Sequence, residues 1–567
     1  MKLPTLRGRE PNPILVKELR TMFRSKMFIR FLYLSTGLLG LLVLSSGALM
    51  ASGNVPPARV GRMVFHLFFG VALATLALVA PAQAAATITS ERETGTYESL
   101  LLTGMDPARI VRGKLAASYA SFVLVLVAFA PIVGIAFLFG GVAPGNVFFG
   151  FYGLLLVLAP AVGLGVALSA RLTSTRVSVL LTSVLFAPAA LFGTVMMGVA
   201  GDEAKRPWGL TVEGPFWFTE ALATRFFEPD TFGLLVLLPL YAAAMSLWFF
   251  GASAVAALRP AAEDRSTPFK RWTLVLLAGI VPISAGLMAL VEPSDVRPLT
   301  GIGVGMTGFV VAFLALLYGD EAPLPPRDLE RRRREGKPLP LLVRAFGPGA
   351  VPTARFALLA VVAAPLLALV SHVGTALRVH PPRYEATDAL GLGVLTLGNA
   401  AVGAALATFG ATLRVALKSG VAARVLTLAV AVGLVILPLL LQVVTDAEAL
   451  AGRRADVPLS MLLSPIGHLL VGGRVLDEQW AGPRFMEGLV PIAMYGLAAL
   501  LCFGVLAARV RRVRSEVHAA REARVERARL RAAERHSQPS VPPPPAALED
   551  LAQEVARRAS EPPAADG

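Results

Sequence analysis

From Leu115 to Ala170 the chain carries no Asp, Glu, Lys or Arg. Such a stretch is far longer than the roughly 20 apolar residues that cross a bilayer once. Gly140-Gly141 and Pro144-Gly145-Asn146 supply a turn that divides it into two crossings. Apolar runs of span length recur from one end of the chain to the other, which makes it an all-α polytopic membrane protein. Spans are expected at roughly 30–51, 64–86, 115–139, 147–169, 177–199 and 232–257. A second set is expected at roughly 273–291, 301–318, 356–376, 390–413, 425–444 and 489–508. The composition agrees, since 16% of the 567 residues are charged, against about 25% in soluble domains.

The net charge of +15 would suggest nucleic acid in a soluble protein. Here the basic residues cluster in alternate loops, so topology and anionic membrane lipid account for them, and no nucleic-acid partner is expected. With both termini in the cytosol, inner segments carry about 41 of the 53 Lys and Arg. The single cysteine, Cys502, falls in an expected span and excludes an intrachain disulfide. The first apolar run, near Phe31 to Ala51, is longer than the apolar region of a cleavable signal.

The most richly patterned polar segment between two spans is Ile88–Lys114. Glu91, Arg92, Glu93, Thr96 and Glu98 come first, with Gly95 among them. Gly104 can end a short helix, and Asp106-Pro107 can start the next with Asp as N-cap and Pro at the first helical position. Upstream, Asn12-Pro13 can start a helix in which Leu15, Leu19, Met22 and Phe23 recur at helical spacing. Lys17, Glu18, Arg20, Arg24 and Lys26 fall mainly on its other side, which suits a cation-rich helix lying in the membrane interface.

Glu91-Arg92-Glu93, Gly95-Thr96, Glu98, the Leu100–Leu102 run and Arg112-Gly113-Lys114 together resemble the cytosolic coupling loop of ABC type-2 permeases. These are the membrane subunits of ATP-driven exporters. Asn12 to Arg20 resembles the N-terminal interfacial helix of the same family; a plain basic anchor is a compatible reading. The resemblance implies that ABC ATPase subunits dock on the helix and the loop. Lys17, Glu18, Arg20, Glu91, Arg92, Glu93, Gly95, Thr96, Glu98 and Gly104 would then carry coupling. Glu91, Glu93 and Glu98 would make polar contacts to the ATPase, and Gly95 and Gly104 would permit the turns. ATP and magnesium would belong to that partner, with no cofactor in this chain. Transport would proceed by alternating access, across a bacterial cytoplasmic membrane.

The layout divides into an interfacial helix (1–28), a first six-span unit (29–258, with its loop at 88–114) and a second unit (259–508). A charged helix and a Pro-rich disordered tail follow (509–567). Each unit has a long cytosolic loop between its second and third spans, at 88–114 and at 319–355. Each has a short basic loop between its fourth and fifth spans and its longest outer loop before its sixth. The fifth spans open alike, Thr175-Arg176-Val177 and Ala423-Arg424-Val425. Weak identity with the same loop order suggests two fused copies of one unit. In the outer loops, Pro215 and Trp217 in one and Pro465 and His468 in the other mark candidate elements. The resemblance implies re-entrant helices there; an aromatic belt at the interface is the alternative. The second cytosolic loop lacks the acidic motif and carries Arg331-Arg332-Arg333-Arg334 instead, a topogenic and lipid-facing cluster.

The spans contain essentially no ionisable residues, which argues against an ion-coupled carrier or a channel with charged rings. No His pair has metal-ligand spacing, and no Gly-x-x-x-x-Gly-Lys-Ser/Thr loop is present, so this chain is not expected to be an enzyme. A secondary transporter of a neutral solute, working without an ATPase, is the alternative. Whether one chain or two permease chains form the pathway stays open, as does the substrate.

Overall fold

In the computed structural model the structure describes residues 12–51, 53, 55–212, 214–260, 263–290, 296–318, 324–336, 338, 340–379, 386–417, 419–445, 464, 485–537 and 545–560. No strand occurs among them. Long apolar runs in a bilayer favour helices, because each helix satisfies its backbone hydrogen bonds within itself.

The first set begins with α1 (Pro13–Arg24), α2 (Lys26–Ala51) and α3 (Pro57–Ala86). Two short helices follow, α4 (Thr89–Glu93) and α5 (Thr96–Leu102), then α6 (Pro107–Phe139), α7 (Pro144–Arg171) and α8 (Thr175–Trp208). Gly140 and Gly141, both at positive φ, make the expected turn between α6 and α7. Between α8 and the next span lie a 3-10 turn (Gly214–Phe216), α9 (Trp217–Arg225), α10 (Pro229–Phe232) and a π-helical segment (Gly233–Leu237) that runs into α11 (Leu238–Leu258).

The second set repeats the order. It comprises α12 (Thr267–Leu290), α13 (Val296–Tyr318), short α14 (Arg327–Arg334) and α15 (Leu341–Phe346), then α16 (Ala350–Val379), α17 (Ala386–Leu417) and α18 (Gly420–Thr445). Residues 446–463 and 465–484 lie outside the described residues, so Pro465 and His468 receive no structural account. The last expected span opens α19 (Phe485–Ser537).

Eleven helices among the described residues are long and apolar enough to cross a membrane. The remaining expected span is α13, whose apolar part, Gly303–Tyr318, is shorter than the other eleven. The protein is an integral, multi-pass, all-α membrane protein.

By contacts the chain forms two units, Met1–Leu506 and Ala507–Gly567. Both six-helix sets thus belong to one unit. The second unit holds the charged end of α19 and α20 (Pro545–Ser560). After the Pro-rich linker a short amphipathic helix through Leu548, Leu551 and Val555 is the alternative to a disordered tail, and α20 covers that stretch. Pro545 stands at the helix start, and the Ala, Leu, Glu and Gln that follow are strong helix formers. Its Leu551 and Val555 are exposed.

In the first set α3 is central and packs on α2, α6, α7 and α8. Its contact with α7 is backbone-close: a Cβ on Gly165 would lie 2.5 Å from the Pro81 carbonyl oxygen. Phe65, Phe68, Phe69, Phe122 and Phe129 fill the space between these helices and are buried. The second set centres on α13, α16 and α17, with mostly small side chains such as Ala357, Ala360, Ala364 and Ala407 at the contact. Asn399 there donates to the Val304 carbonyl at 3.0 Å and to the Thr307 hydroxyl at 3.2 Å. The sets join through α11 and α12, where the Trp272 indole donates to Met245 O at 2.8 Å and the Tyr241 hydroxyl to Val275 O at 3.0 Å.

Candidate functional site

The loop between α3 and α6 is built around one buried lysine. Lys114 stands near the start of α6 with its side chain 1% exposed. Its ammonium donates to Thr87 O at 2.9 Å and Glu18 Oε1 at 3.1 Å, and it forms an ion pair with Glu91 Oε2 at 3.0 Å. The other oxygen of Glu91 lies 3.4 Å from Lys17 Nζ. Two ammonium and two carboxylate groups thus neutralise one another where α1, α4 and α6 converge. Burying the Lys114 charge is tolerable only because it is paired.

Backbone geometry brings α1 to this point. Asn12 caps α1 by accepting from the Ile14 amide at 3.1 Å, and its Nδ2 donates to Arg109 O on α6 at 2.7 Å. Ile14 is buried against Gly113, where an added Cβ would fall 2.7 Å from the Ile14 Cβ. Only glycine at 113 allows this approach.

The far side of the loop is fastened to the α7–α8 turn. The Ser169 hydroxyl accepts from the Ile88 and Thr89 amides at 2.8 and 3.0 Å, satisfying donors at the start of α4 that have no intrahelical acceptor. Arg92 donates to Ala170 O and Leu172 O, both at 2.9 Å, at the carbonyl end of α7. Its guanidinium also lies over the Tyr97 ring, 5.1 Å from the centroid. Glu93 accepts from the Thr175 amide at 2.8 Å and from its hydroxyl at 2.7 Å, at the start of α8. Those two donors, the amide first, hold the Glu93 carboxyl below its ordinary value of 4.5.

Two turns shape what remains outside. Gly95 and Gly104 have φ of +72° and +69°, a region that favours glycine. The Thr94 and Thr96 hydroxyls meet at 3.1 Å around the first turn. Asp106 caps α6 by accepting from the Ala108 amide at 3.1 Å. The outward edge carries Glu98, Ser99 and Leu102, the last 88% exposed.

Of the residues singled out from sequence, Lys17, Glu18 and Glu91 come together. Arg92 and Glu93 bond to the α7–α8 turn, Glu93 remaining exposed, Glu98 faces outward, and Arg20 is exposed outside the network. The site residues missed were Lys114 and Gly113 as working parts, with Asn12, Ser169 and Thr175. One signal was available for Lys114: it is the last charge before 56 uncharged residues, so its side chain meets the apolar run at the boundary.

Between α8 and α11, Trp217 is buried and its indole donates to Met197 O at 2.7 Å. Glu220 ties this region together by accepting from Thr211 N, Thr211 Oγ1 and Val212 N at 2.8, 2.7 and 2.6 Å. Pro215 and Phe216 line two apolar cavities, one of about 540 Å³ against α7, α8 and α11, the other of about 600 Å³ between α3 and α8. No group of three His, Cys, Asp or Glu among the described residues could hold a metal ion.

Residues 54–211 match the family model described as ABC-2 family transporter protein. This stretch of the chain is similar to ABC-2 type permeases. It runs through α3–α8 and so contains Glu91, Lys114 and the α7–α8 turn, while α1 and the second set lie outside it. Proteins of this family are membrane transport components that generally work with ABC ATPase subunits. No curated protein and no solved structure matches the chain.

Proposed function

We propose that this permease is the membrane subunit of an ATP-driven exporter, moved by a separate ABC ATPase that docks on α1 and the α4–α5 loop. The observation that carries the reading is the Lys17–Glu91–Lys114–Glu18 network. It makes α1, the loop and the start of α6 one mechanical piece, while Arg92 and Glu93 join that piece to α7 and α8. A push on the outward edge would thereby reach the starts or ends of four spans. The surface offered to the ATPase is Glu98 with Leu102, flanked by Gly95-Thr96 and Gly104; Glu91 and Glu93 transmit the movement through their bonds to α1, α6 and α8.

ATP and magnesium belong to the partner. Hydrolysis would drive the spans between inward and outward arrangements, with substrate leaving on the outer side of a bacterial cytoplasmic membrane. The test pairs the permease with its ATPase in proteoliposomes. Glu98→Arg with Leu102→Asp should abolish co-purification of the ATPase. Glu91→Ala with Glu93→Ala should leave the complex assembled and reduce permease-stimulated ATP hydrolysis at least tenfold. Unchanged hydrolysis in the second variant would remove the network from coupling. If no ATPase co-purifies with the wild-type chain, the secondary-transporter reading replaces this one.

A further inference from the structure

The cytosolic loop of the second set carries a surface that the coupling reading leaves unused. Over residues 327–344 there are seven basic and three acidic side chains, against four of each over 88–114. Arg327, Arg332 and Arg344 are exposed and pair with no carboxylate among the described residues. Beside them α15 presents Leu341 and Leu342, which are 81% and 76% exposed.

The position of α15 is fixed rather than free. Lys270, buried in the first turn of α12, donates to Phe346 O at 3.1 Å, to Gly347 O at 2.9 Å and to Thr353 Oγ1 at 2.7 Å. The first two acceptors are carbonyls at the end of α15, and Thr353 lies in the first turn of α16. The carbonyl end of α15 is therefore held at the level where two spans begin. At 1.5 Å per residue, Leu341 lies only about 8 Å along the helix from that clasp.

We propose that the α14–α15 loop docks on the anionic phospholipid headgroups of the inner leaflet, with Leu341 and Leu342 entering the acyl boundary and Arg327, Arg332 and Arg344 meeting lipid phosphates. Charge complementarity selects the occupant. Unpaired arginines beside two exposed leucines, held at the ends of spans, fit a negatively charged apolar boundary. An acyl boundary about 5–10 Å deep is within reach of the leucine pair. The inference is independent of the ATPase reading, because it concerns a loop outside the family match.

The experiment places a nitroxide on Leu342→Cys in a Cys502→Ser background and reads its collisions with oxygen and with a water-soluble nickel chelate. The chain is reconstituted in nanodiscs of phosphatidylcholine alone or of phosphatidylcholine with phosphatidylglycerol. Oxygen should dominate in the phosphatidylglycerol discs. That dominance should fall in phosphatidylcholine, and also when Arg332→Ser and Arg344→Ser are added. A label open to the nickel chelate in both lipids would overturn the proposal. So would a label shielded only when an ATPase is bound, which would make the surface a protein contact. If the labelled variant fails to assemble, the otherwise native chain still decides the matter. Retention of phosphatidylglycerol in native mass spectra should drop about fivefold for each arginine removed, and equal retention would overturn the proposal.

Discussion

Each six-helix set buries a lysine at the start of a span, and the two lysines are answered by different chemistry. Lys114 faces two carboxylates and one carbonyl. Lys270 faces two carbonyls and a hydroxyl, with the Phe356 ring 5.9 Å away. The first arrangement draws on side chains from α1 and α4, so it binds separate elements through charge. The second grips the end of α15 and the start of α16, so it holds one loop in place. Around Lys114 the loop carries as many acidic as basic side chains, four of each over 88–114, although Glu98, Arg109 and Arg112 stay exposed. Around Lys270 the loop is basic, with arginines left exposed. A charge-matched joint can transmit displacement between helices, whereas a carbonyl clasp anchors a surface. The two halves thus share an order of helices and differ in what their cytosolic loops can do.

The comparison breaks most readily at the lysines themselves. Lys114→Met leaves Glu18 and Glu91 facing one another with Lys17 alone to balance them. Removing one partner of a buried ion pair costs about 3–5 kcal/mol. Lys270→Met strands neutral acceptors, at about 1–3 kcal/mol. Thermal unfolding of the detergent-extracted chain, followed by tryptophan fluorescence, should show the larger loss for Lys114→Met. Equal losses would mean that the carboxylates add nothing and that both lysines are anchors.

Sequence patterning reached the elements more easily than the joints. Asn12-Pro13, Asp106-Pro107, Gly104 and Gly140-Gly141 act locally, through caps and positive φ, so their roles can be read from neighbouring residues. The acidic cluster was equally visible. The partners of its members were not, because they lie far off in the chain: 74 residues separate Lys17 from Glu91 and 82 separate Glu93 from Thr175. Whether Glu91 faces outward or inward depends on how closely α1 approaches α6, and that depends on the missing side chain at Gly113. A glycine between an arginine and a lysine gives no local hint of a helix crossing. Lys270 was obscure for a related reason, since its acceptors are mainly backbone carbonyls, which carry no sequence signature.

Gly113→Val sharpens the comparison at intermediate size. The added side chain would press on Ile14, and overpacking of this kind costs about 1–3 kcal/mol. The expected outcome is detachment of α1 with the remaining helices in place. Hydrogen exchange should quicken at the amides of 14–24 and stay unchanged at α15. No helix precedes α12 in the way α1 precedes α2, since 259–266 contains none among its described residues. If α15 loosens together with α1, the two loops are one cooperative element, and the contrast drawn between them fails.

The smallest effect belongs to Glu93, and its sign separates the loops by pH. Its folded-state pKa lies below the ordinary 4.5 because Thr175 donates twice to the carboxylate. The unfolded chain therefore takes up the proton first, and the clasp contributes stability above 4.5 that is lost as pH falls through the lowered folded value. Exchange at the Thr175 amide should accelerate over that acidic window. The amide of Gly347, beside the Lys270 clasp, should show only the intrinsic pH dependence of exchange, because carbonyls and a hydroxyl have no proton to take up there. Glu93→Gln should raise Thr175 exchange at neutral pH and flatten its acid response, since an amide oxygen accepts more weakly than a carboxylate. A response that survives Glu93→Gln would place the titrating group elsewhere and leave the α4–α8 clasp without a role for charge.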